Sequence, residues 1–230
     1  MVQLERFERL VGSNIENIRN KTVLVLGLGG VGSYAVESLV RSGIGRLILV
    51  DYDTIDITNL NRQLMTNLNN VGMLKTEVWE ERIKSISKEC EVTIINEKIT
   101  PENMSILFQN NIDYLVDACD TIEIKKQIII ECIKRKIKLI SSMGTGNKME
   151  PQKLEIIDIR KTAYDPIAKI LRKFVKDNKI KEKVMVVCST EKPKKISKPI
   201  GSNAFVPAIA GLLCTSYIIN DIVGDSNDIN

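Results

Sequence analysis

A doubly wound, mostly parallel α/β sheet with a C-terminal α+β extension is the fold class this sequence predicts, and three observations carry it. The run over 23–33, Val-Leu-Val-Leu-Gly-Leu-Gly-Gly-Val-Gly-Ser, leads an apolar strand into Gly27, Gly29, Gly30 and Gly32 and straight on into helical periodicity. A second apolar strand over 47–51 ends on Asp51, nineteen residues beyond Gly32. Strand-like and helical patterns then alternate as far as Ser142, which is the rhythm of parallel strands joined by crossover helices.

In chain order, residues 4–20 read as an amphipathic helical arm. Strand 22–26, the glycine turn, helix 32–41, the turn Gly43-Ile-Gly45 and strand 47–51 make one right-handed βαβ unit. The polar loop over 52–72 is long for a compact α/β domain, and such loops tend to be functional. A helix is expected over 75–85, holding the only tryptophan, Trp79. There follow a strand over 92–96, a helix over 101–109, a buried strand over 114–118, a helix over 123–136 and a strand over 138–142. After Gly144-Thr-Gly146 the pattern changes to a strand over 154–158, a basic helix over 166–176, a short strand over 184–188 and a lysine-proline loop over 191–201. The mostly apolar stretch 204–219 falls short of the ~20 residues that span a bilayer, so it reads as a buried helix, with peripheral membrane contact the lesser alternative. Residues 1–147 form the nucleotide-binding part; 148–230 form a basic extension packed on the same sheet, within one domain.

Composition removes several classes of chemistry. At 43% hydrophobic and 27% charged residues the chain is of a soluble, globular kind. Its N-terminus is charged and lacks the apolar segment of a signal peptide. The five cysteines contain no Cys-x-x-Cys pair, so neither a disulfide framework nor a zinc site is expected, and a reducing cytoplasm is. Histidine is absent, which excludes an imidazole base, a Ser-His pair and a His-ligated metal. Chemistry falls to carboxylates, arginine, lysine, an oxygen-ligated metal or a cysteine. The net charge of +4 is uneven: residues 160–198 hold 13 basic and 4 acidic side chains, a net +9 that points to a polyanionic partner or to a solvated lysine-rich face.

The glycines let the backbone turn sharply and let a phosphate come close to a helix N-terminus, and an acid at the next strand end suits a ribose hydroxyl. That much is a Rossmann-like nucleotide site, shared with dinucleotide oxidoreductases. Four features pull toward a triphosphate: the second carboxylate of Asp51-Tyr-Asp53, the run Thr58-Asn-Leu-Asn-Arg-Gln63, Lys75 at a helix start, and Asp120 beyond the fourth strand. Cations on phosphates and an oxygen ligand on Mg²⁺ are what ATP needs. Asp53 also suits a local Asx turn. Asp117 competes with Asp120 for the metal but suits structural hydrogen bonds better. The Gly- and Ser-rich stretch 141–147 fits a monovalent-cation site, a substrate-shaping loop or a plain turn.

Together, Gly-x-Gly-Gly-x-Gly-Ser, Asp-x-Asp, Asn-Leu-Asn-Arg-Gln, Gly72-x-x-Lys75 and Asp-Ala-x-Asp120 resemble the adenylating superfamily of ubiquitin-activating enzymes. Ser142-Met-Gly-x-Gly-Asn-Lys148, Asp158-Ile-x-Lys-Thr162, Asp165-Pro-x-Ala-Lys169 and Gly201-Ser-x-x-Phe-Val-Pro-x-x-Ala-Gly211 are similar to its tRNA threonylcarbamoyladenosine dehydratase branch. The resemblance implies ATP phosphates on the turn of Gly27, Gly29, Gly30 and Gly32, ribose on Asp51 with Asp53 beside it, and the triphosphate positioned by Asn59, Asn61, Arg62 and Lys75. Mg²⁺ falls to Asp120. It further implies a homodimer in which Arg9, or else Arg6, reaches the partner's ATP. It implies tRNA on the basic tract, with Lys148, Arg160, Lys161, Arg172 and Lys173 as contacts, and it leaves room for a sulfur-transfer protein partner. Cys188 sits where some relatives of the superfamily hold a thioester cysteine, yet it ends an apolar run and reads better as core.

The implied reaction is ATP-dependent dehydration of a threonylcarbamoyl side chain on tRNA through an acyl-adenylate. The nearest alternative is activation of a ubiquitin-like sulfur carrier, whose enzymes often carry the two Cys-x-x-Cys pairs missing here. An oxidoreductase leaves Asn61, Arg62 and Lys75 unexplained, and an idle tRNA-binding scaffold leaves Arg62, Lys75 and Asp120 so.

Overall fold

The computed structural model describes residues 2–195 and 198–227, and Ile196 and Ser197 of the lysine-proline loop fall outside them. Seven strands make one sheet: β1 (Thr22–Leu26), β2 (Arg46–Val50), β3 (Glu91–Ile95), β4 (Tyr114–Asp117), β5 (Lys138–Ser142), β6 (Leu154–Asp158) and β7 (Met185–Ser189). Their spatial order is β3-β2-β1-β4-β5-β7-β6, parallel throughout except for β6, which runs antiparallel along β7.

Every residue of β1 is buried because helices cover both faces of the sheet. Val23 and Val25 point into a core built with α3 (Gly30–Arg41), α4 (Lys75–Ile86) and α7 (Val206–Asn227). Leu24 and Leu26 point the other way, toward α5 (Ile122–Arg135) and Leu107. A third cluster seats α6 (Pro166–Asp177) against β7. Asp165 caps α6 by accepting the Ala168 N–H at 3.0 Å, and Pro166 opens it at the position where a missing N–H costs nothing.

Three elements differ from the sequence expectation. The N-terminal arm is two short helices, α1 (Glu5–Val11) and α2 (Asn14–Arg19), because Gly12 leaves the helix at φ +58°. Between 101 and 109 only a 3₁₀ turn, Met104–Phe108, forms. There Asn103 accepts the Thr100 N–H at 2.7 Å and donates to the Lys98 carbonyl at 3.0 Å, and such side-chain bonds compete with a helical ladder. The apolar C-terminal stretch is longer than expected: α7 is long and apolar enough to cross a membrane, but it packs along α3 as a core helix. Gly211 makes that approach possible, since a Cβ there would overlap the Val31 carbonyl.

Candidate functional site

The order of strands across the sheet reverses between β1 and β4, and the strand ends diverge there into a crevice. A cavity of about 740 Å³ occupies this point, lined by the glycine turn and by Asp51, Arg62, Lys75 and Asp120 among others.

The four glycines do different jobs. Gly27 turns the chain at φ +88°, with the Ala118 carbonyl oxygen 2.8 Å from where a Cβ would stand. At Gly32 a Cβ would overlap the Gly27 carbonyl oxygen, so this glycine brings α3 against β1 and does not line the cavity. Gly29 is the open one: a Cβ there would meet only the Gln63 Nε2 at 3.8 Å, and the residue caps α3 directly before its first N–H groups. Those groups lack intrahelical partners, and the helix dipole favours an anion beside them. Gly30 lies under Pro207 and Arg62.

Asp51 follows directly on β2 and is buried. Its carboxylate accepts the Leu28 N–H at 2.7 Å and the Asp53 N–H at 2.9 Å, which ties the strand end to the glycine turn. Burial raises its pKa above the ordinary carboxylate value, against the pull of Lys75 and the two N–H groups. Lys75, the first residue of α4, is buried and holds Asp53 at 2.8 Å and Asp51 at 3.9 Å. Asn59 caps the 3₁₀ turn Ile57–Asn59 by accepting the Asp56 N–H at 3.1 Å, and Arg62 donates to the Thr58 carbonyl at 2.8 Å. Asp120 is exposed at the rim, whereas Asp117 lies wholly beneath the site. Asp117 bonds Lys125 Nζ at 3.0 Å and the Ser141 hydroxyl at 2.6 Å, joining β4, α5 and β5 under the cavity. Burial opposes the Lys125 charge, but Asp117 outweighs it and holds the lysine above its ordinary pKa.

Six carboxylates (Asp51, Asp53, Asp56, Glu97, Asp120, Glu123) line the cavity against three cations (Arg62, Lys75, Lys98). A bare triphosphate would be repelled by that excess, so the lining suits a polyphosphate that arrives with a cation. No group of three or more His, Cys, Asp or Glu stands ready to cage a metal among the described residues. Mg²⁺ is compatible with that arrangement, because it keeps waters and takes one or two carboxylates plus substrate phosphates; Asp120 is the rim carboxylate best exposed for this.

Several expected residues stand elsewhere. Asn61 does not line the cavity; it donates to the Ser202 carbonyl at 3.1 Å and so ties the 58–63 turn to the segment before α7. Arg9 lies on the exposed face of α1, paired with Glu5 at 2.6 Å and outside its own cavity. Lys148, expected at a polyanion surface, is buried and paired with Asp165 at 2.8 Å. Arg160 is exposed, but its guanidinium is engaged along the surface with Asp158 and the Ile180 and Glu182 carbonyls, whereas half-buried Arg172 turns to Thr162. Lys148 and Arg172 are corrected to internal contacts, since groups already satisfied within the fold have little to offer a phosphate. Lys161 and Lys173 are exposed. Cys188 is buried, its thiol pushed up to about 12 by burial, which is the opposite of a reactive cysteine. Residues 144–148 are braced by Lys148 and by Asn147, which accepts the Gly201 N–H at 2.7 Å.

The cavity also contains residues that the sequence reading does not single out, notably Gln63, Lys98, Thr145, Ser202 and Pro207. Gln63, Thr145, Ser202 and Pro207 lie within quoted motifs, so a signal exists for them; Lys98 reaches the cavity only through the fold.

The sequence matches the ThiF family over residues 3–228. It is 43% identical to the tRNA threonylcarbamoyladenosine dehydratase of Bacillus subtilis, across 97% of this chain and 95% of that protein. The Haemophilus influenzae protein of the same name is 34% identical over 97% of each chain. The crystal structure of E. coli tRNA N6-threonylcarbamoyladenosine dehydratase in complex with ATP superposes with a TM-score of 0.92 at 32% identity, covering 99% of this chain and 96% of that one. The molybdopterin-synthase adenylyltransferase of Salmonella typhimurium is more distant, 31% identical over 60% of this chain and 54% of its own.

Proposed function

The chain belongs to the ThiF family, and from that membership we propose that it is an ATP-dependent enzyme that dehydrates the threonylcarbamoyl side chain of a modified tRNA adenosine to its cyclic form. The observation that carries this reading is the meeting, in one cavity, of the open glycine turn, buried Asp51, the cations Arg62 and Lys75 and the rim carboxylate Asp120.

In this reading ATP lies with its phosphates over the N-terminus of α3 and its ribose hydroxyls on Asp51. Arg62 and Lys75 neutralise phosphoryl oxygens, Lys75 sharing its charge with Asp53. Asp120 holds Mg²⁺, which when bound offsets negative charge on the phosphates. The substrate carboxylate attacks the α-phosphorus; a C–O–P bond forms and pyrophosphate leaves. A urea nitrogen of the same side chain then attacks the activated carbonyl. The C–N bond forms, AMP departs and the nitrogen proton passes to solvent. Closure of a five-membered ring on an activated carbonyl benefits from effective molarities of ~10⁵ M or more, so a chain without histidine loses nothing by lacking an imidazole base.

Support for a homodimer comes from Arg9, whose guanidinium is exposed and does not line its own cavity; it is the group we assign to the ATP of a second copy. The tRNA phosphates fall to the exposed lysines of the basic tract, Lys161 and Lys173 among them, giving salt-sensitive and largely sequence-independent affinity. A reducing cytoplasm suits the five free cysteines. The test is incubation with ATP, Mg²⁺ and tRNA bearing threonylcarbamoyladenosine. Mass spectrometry of the nucleosides should show loss of one water with release of AMP, and an unchanged nucleoside mass overturns the proposal.

A further inference from the structure

Tyr164 stands out on the surface of the basic extension. It is 57% exposed, does not line the nucleotide cavity, and has the Lys192 ammonium 4.9 Å from its ring centroid. Its backbone is left-handed at φ +59°, a conformation that bulky residues rarely adopt. Among the described residues three other non-glycine residues share that region, each for an ordinary reason. Lys136 and Lys179 follow the ends of α5 and α6, and Asn147 is of a type that tolerates it. Tyr164 has neither reason. It is the centre of a three-residue turn, closed by the Asp165 N–H donating to the Ala163 carbonyl at 2.7 Å.

The neighbours hold this turn and set it close to the cavity wall. Asp165, the next residue, caps α6 and pairs with buried Lys148, and its carboxylate stands 3.0 Å from where a Cβ on Gly144 would be. Thr145, directly after Gly144, lines the cavity. The segment that carries Lys192 is tied to the same loop, since Lys194 N donates to the Asn147 carbonyl at 2.8 Å. Strain that the surroundings over-determine in this way gathers at ligand-binding positions. Exposed Lys161 and Lys169 stand within five residues of the ring along the chain, so the charge beside it is positive.

We propose that the Tyr164 ring is a stacking platform for an unpaired base flanking the reacting nucleotide of the RNA; the inference rests on the tRNA reading above. Single-stranded RNA is held by bases splayed onto aromatic faces while cations follow the phosphates of the same strand. An unpaired nucleotide brings a π-face and a negative charge together, and a ring with lysines around it offers the complement of both.

The test is filter binding of the full chain to tRNA bearing threonylcarbamoyladenosine and, separately, to a fully paired RNA duplex, with ATP titrated alongside, for the native protein, Tyr164→Ala and Tyr164→Phe. The left-handed backbone burdens alanine and phenylalanine as it does tyrosine, so the two variants differ in the ring. Tyr164→Ala should weaken tRNA about tenfold with the salt slope unchanged, as expected for one stacked base, and Tyr164→Phe should bind as the native protein does. Affinity for the duplex and for ATP should be the same in all three. Native tRNA affinity in Tyr164→Ala overturns the inference and leaves the proposed function standing. Equal weakening on tRNA and duplex also overturns it, because that is the mark of a structural or purely electrostatic effect. So does a Tyr164→Phe protein as weak as Tyr164→Ala, which assigns the contact to the hydroxyl. A native chain that binds no tRNA overturns the proposed function and this inference together.

Discussion

Lys148 Nζ and Asp165 Oδ2 lie 2.8 Å apart with both side chains excluded from solvent, and the same ammonium donates to the Gly144 carbonyl. The pair locks the 144–148 loop, which carries Thr145 to the cavity wall, onto the N-cap of α6. Removing one partner strands the other charge in the interior, so Lys148→Met should cost about 3–5 kcal/mol. Lys173→Glu, on the exposed side of α6, should leave the melting temperature within error, weaken tRNA binding and lower the salt slope of affinity by about one. Thermal melts and filter binding at several salt concentrations separate the two. If Lys148→Met melts as the native protein does, the locking role is wrong.

The glycine turn offers a second contrast. Gly32→Ala puts a methyl into the Gly27 carbonyl and should destabilise the fold by about 1–3 kcal/mol or more, as overpacking does. Gly29→Ala meets nothing closer than Gln63 Nε2 at 3.8 Å, so the fold should survive while the methyl blocks phosphate approach. The expected signature is a lowered melting temperature for the first, and a near-native melt with ATP affinity weakened at least about tenfold for the second. Native ATP affinity in Gly29→Ala would show that phosphate does not lie over this turn.

Asp51 carries a pH prediction. Its folded pKa is raised by burial above the ordinary 3.8, so the native state holds this proton more tightly than the unfolded chain. Ionising Asp51 therefore costs stability as pH rises from that value through the shifted one, and its protonation stabilises the free protein below. Ribose hydroxyls need the ionised acceptor. ATP affinity should thus fall on acidification with an acid limb above pH 3.8, and Asp51→Asn should lose that limb together with most of the affinity. Titrations from the acid limb up to neutral pH check it; a flat native profile counts against Asp51 as the ribose acceptor.

Arg9 and Lys75 test assembly. If each cavity takes Arg9 from a second copy, Arg9→Ala and Lys75→Met are each inactive alone. Co-refolding them yields mixed dimers with one intact site, and about half of those dimers' native activity should return. No recovery on mixing, with mixed dimers demonstrated by native mass spectrometry, rules out the shared site.

Much of this architecture is legible in the chain because its causes are local. Strands 138–142 and 154–158 fall where alternation and apolar runs put them. The start of α4 at Lys75 and the Pro166 opening of α6 follow from ordinary helix signals. The failures have two causes. Arg172 and Lys148 read as surface charge because a sequence records charge but not direction; the fold turns the first toward Thr162 and the second toward a buried carboxylate. The 101–109 helix is lost to one asparagine side chain, a competition that periodicity does not register.

The sequence by itself determined the parallel sheet, the glycine turn at the end of its first strand, the acid at the end of the second, and the exclusion of imidazole chemistry. These depend on residue type and spacing along a single segment. Only the tertiary structure decided that Asn61 and Gly32 serve the scaffold and not the cavity, and that Asp117 is sealed beneath it while Asp120 is left at the rim. Those outcomes turn on which of two nearby polar groups finds a partner from a distant segment. That partner reaches the site only once the strands have paired and the helices have closed over them.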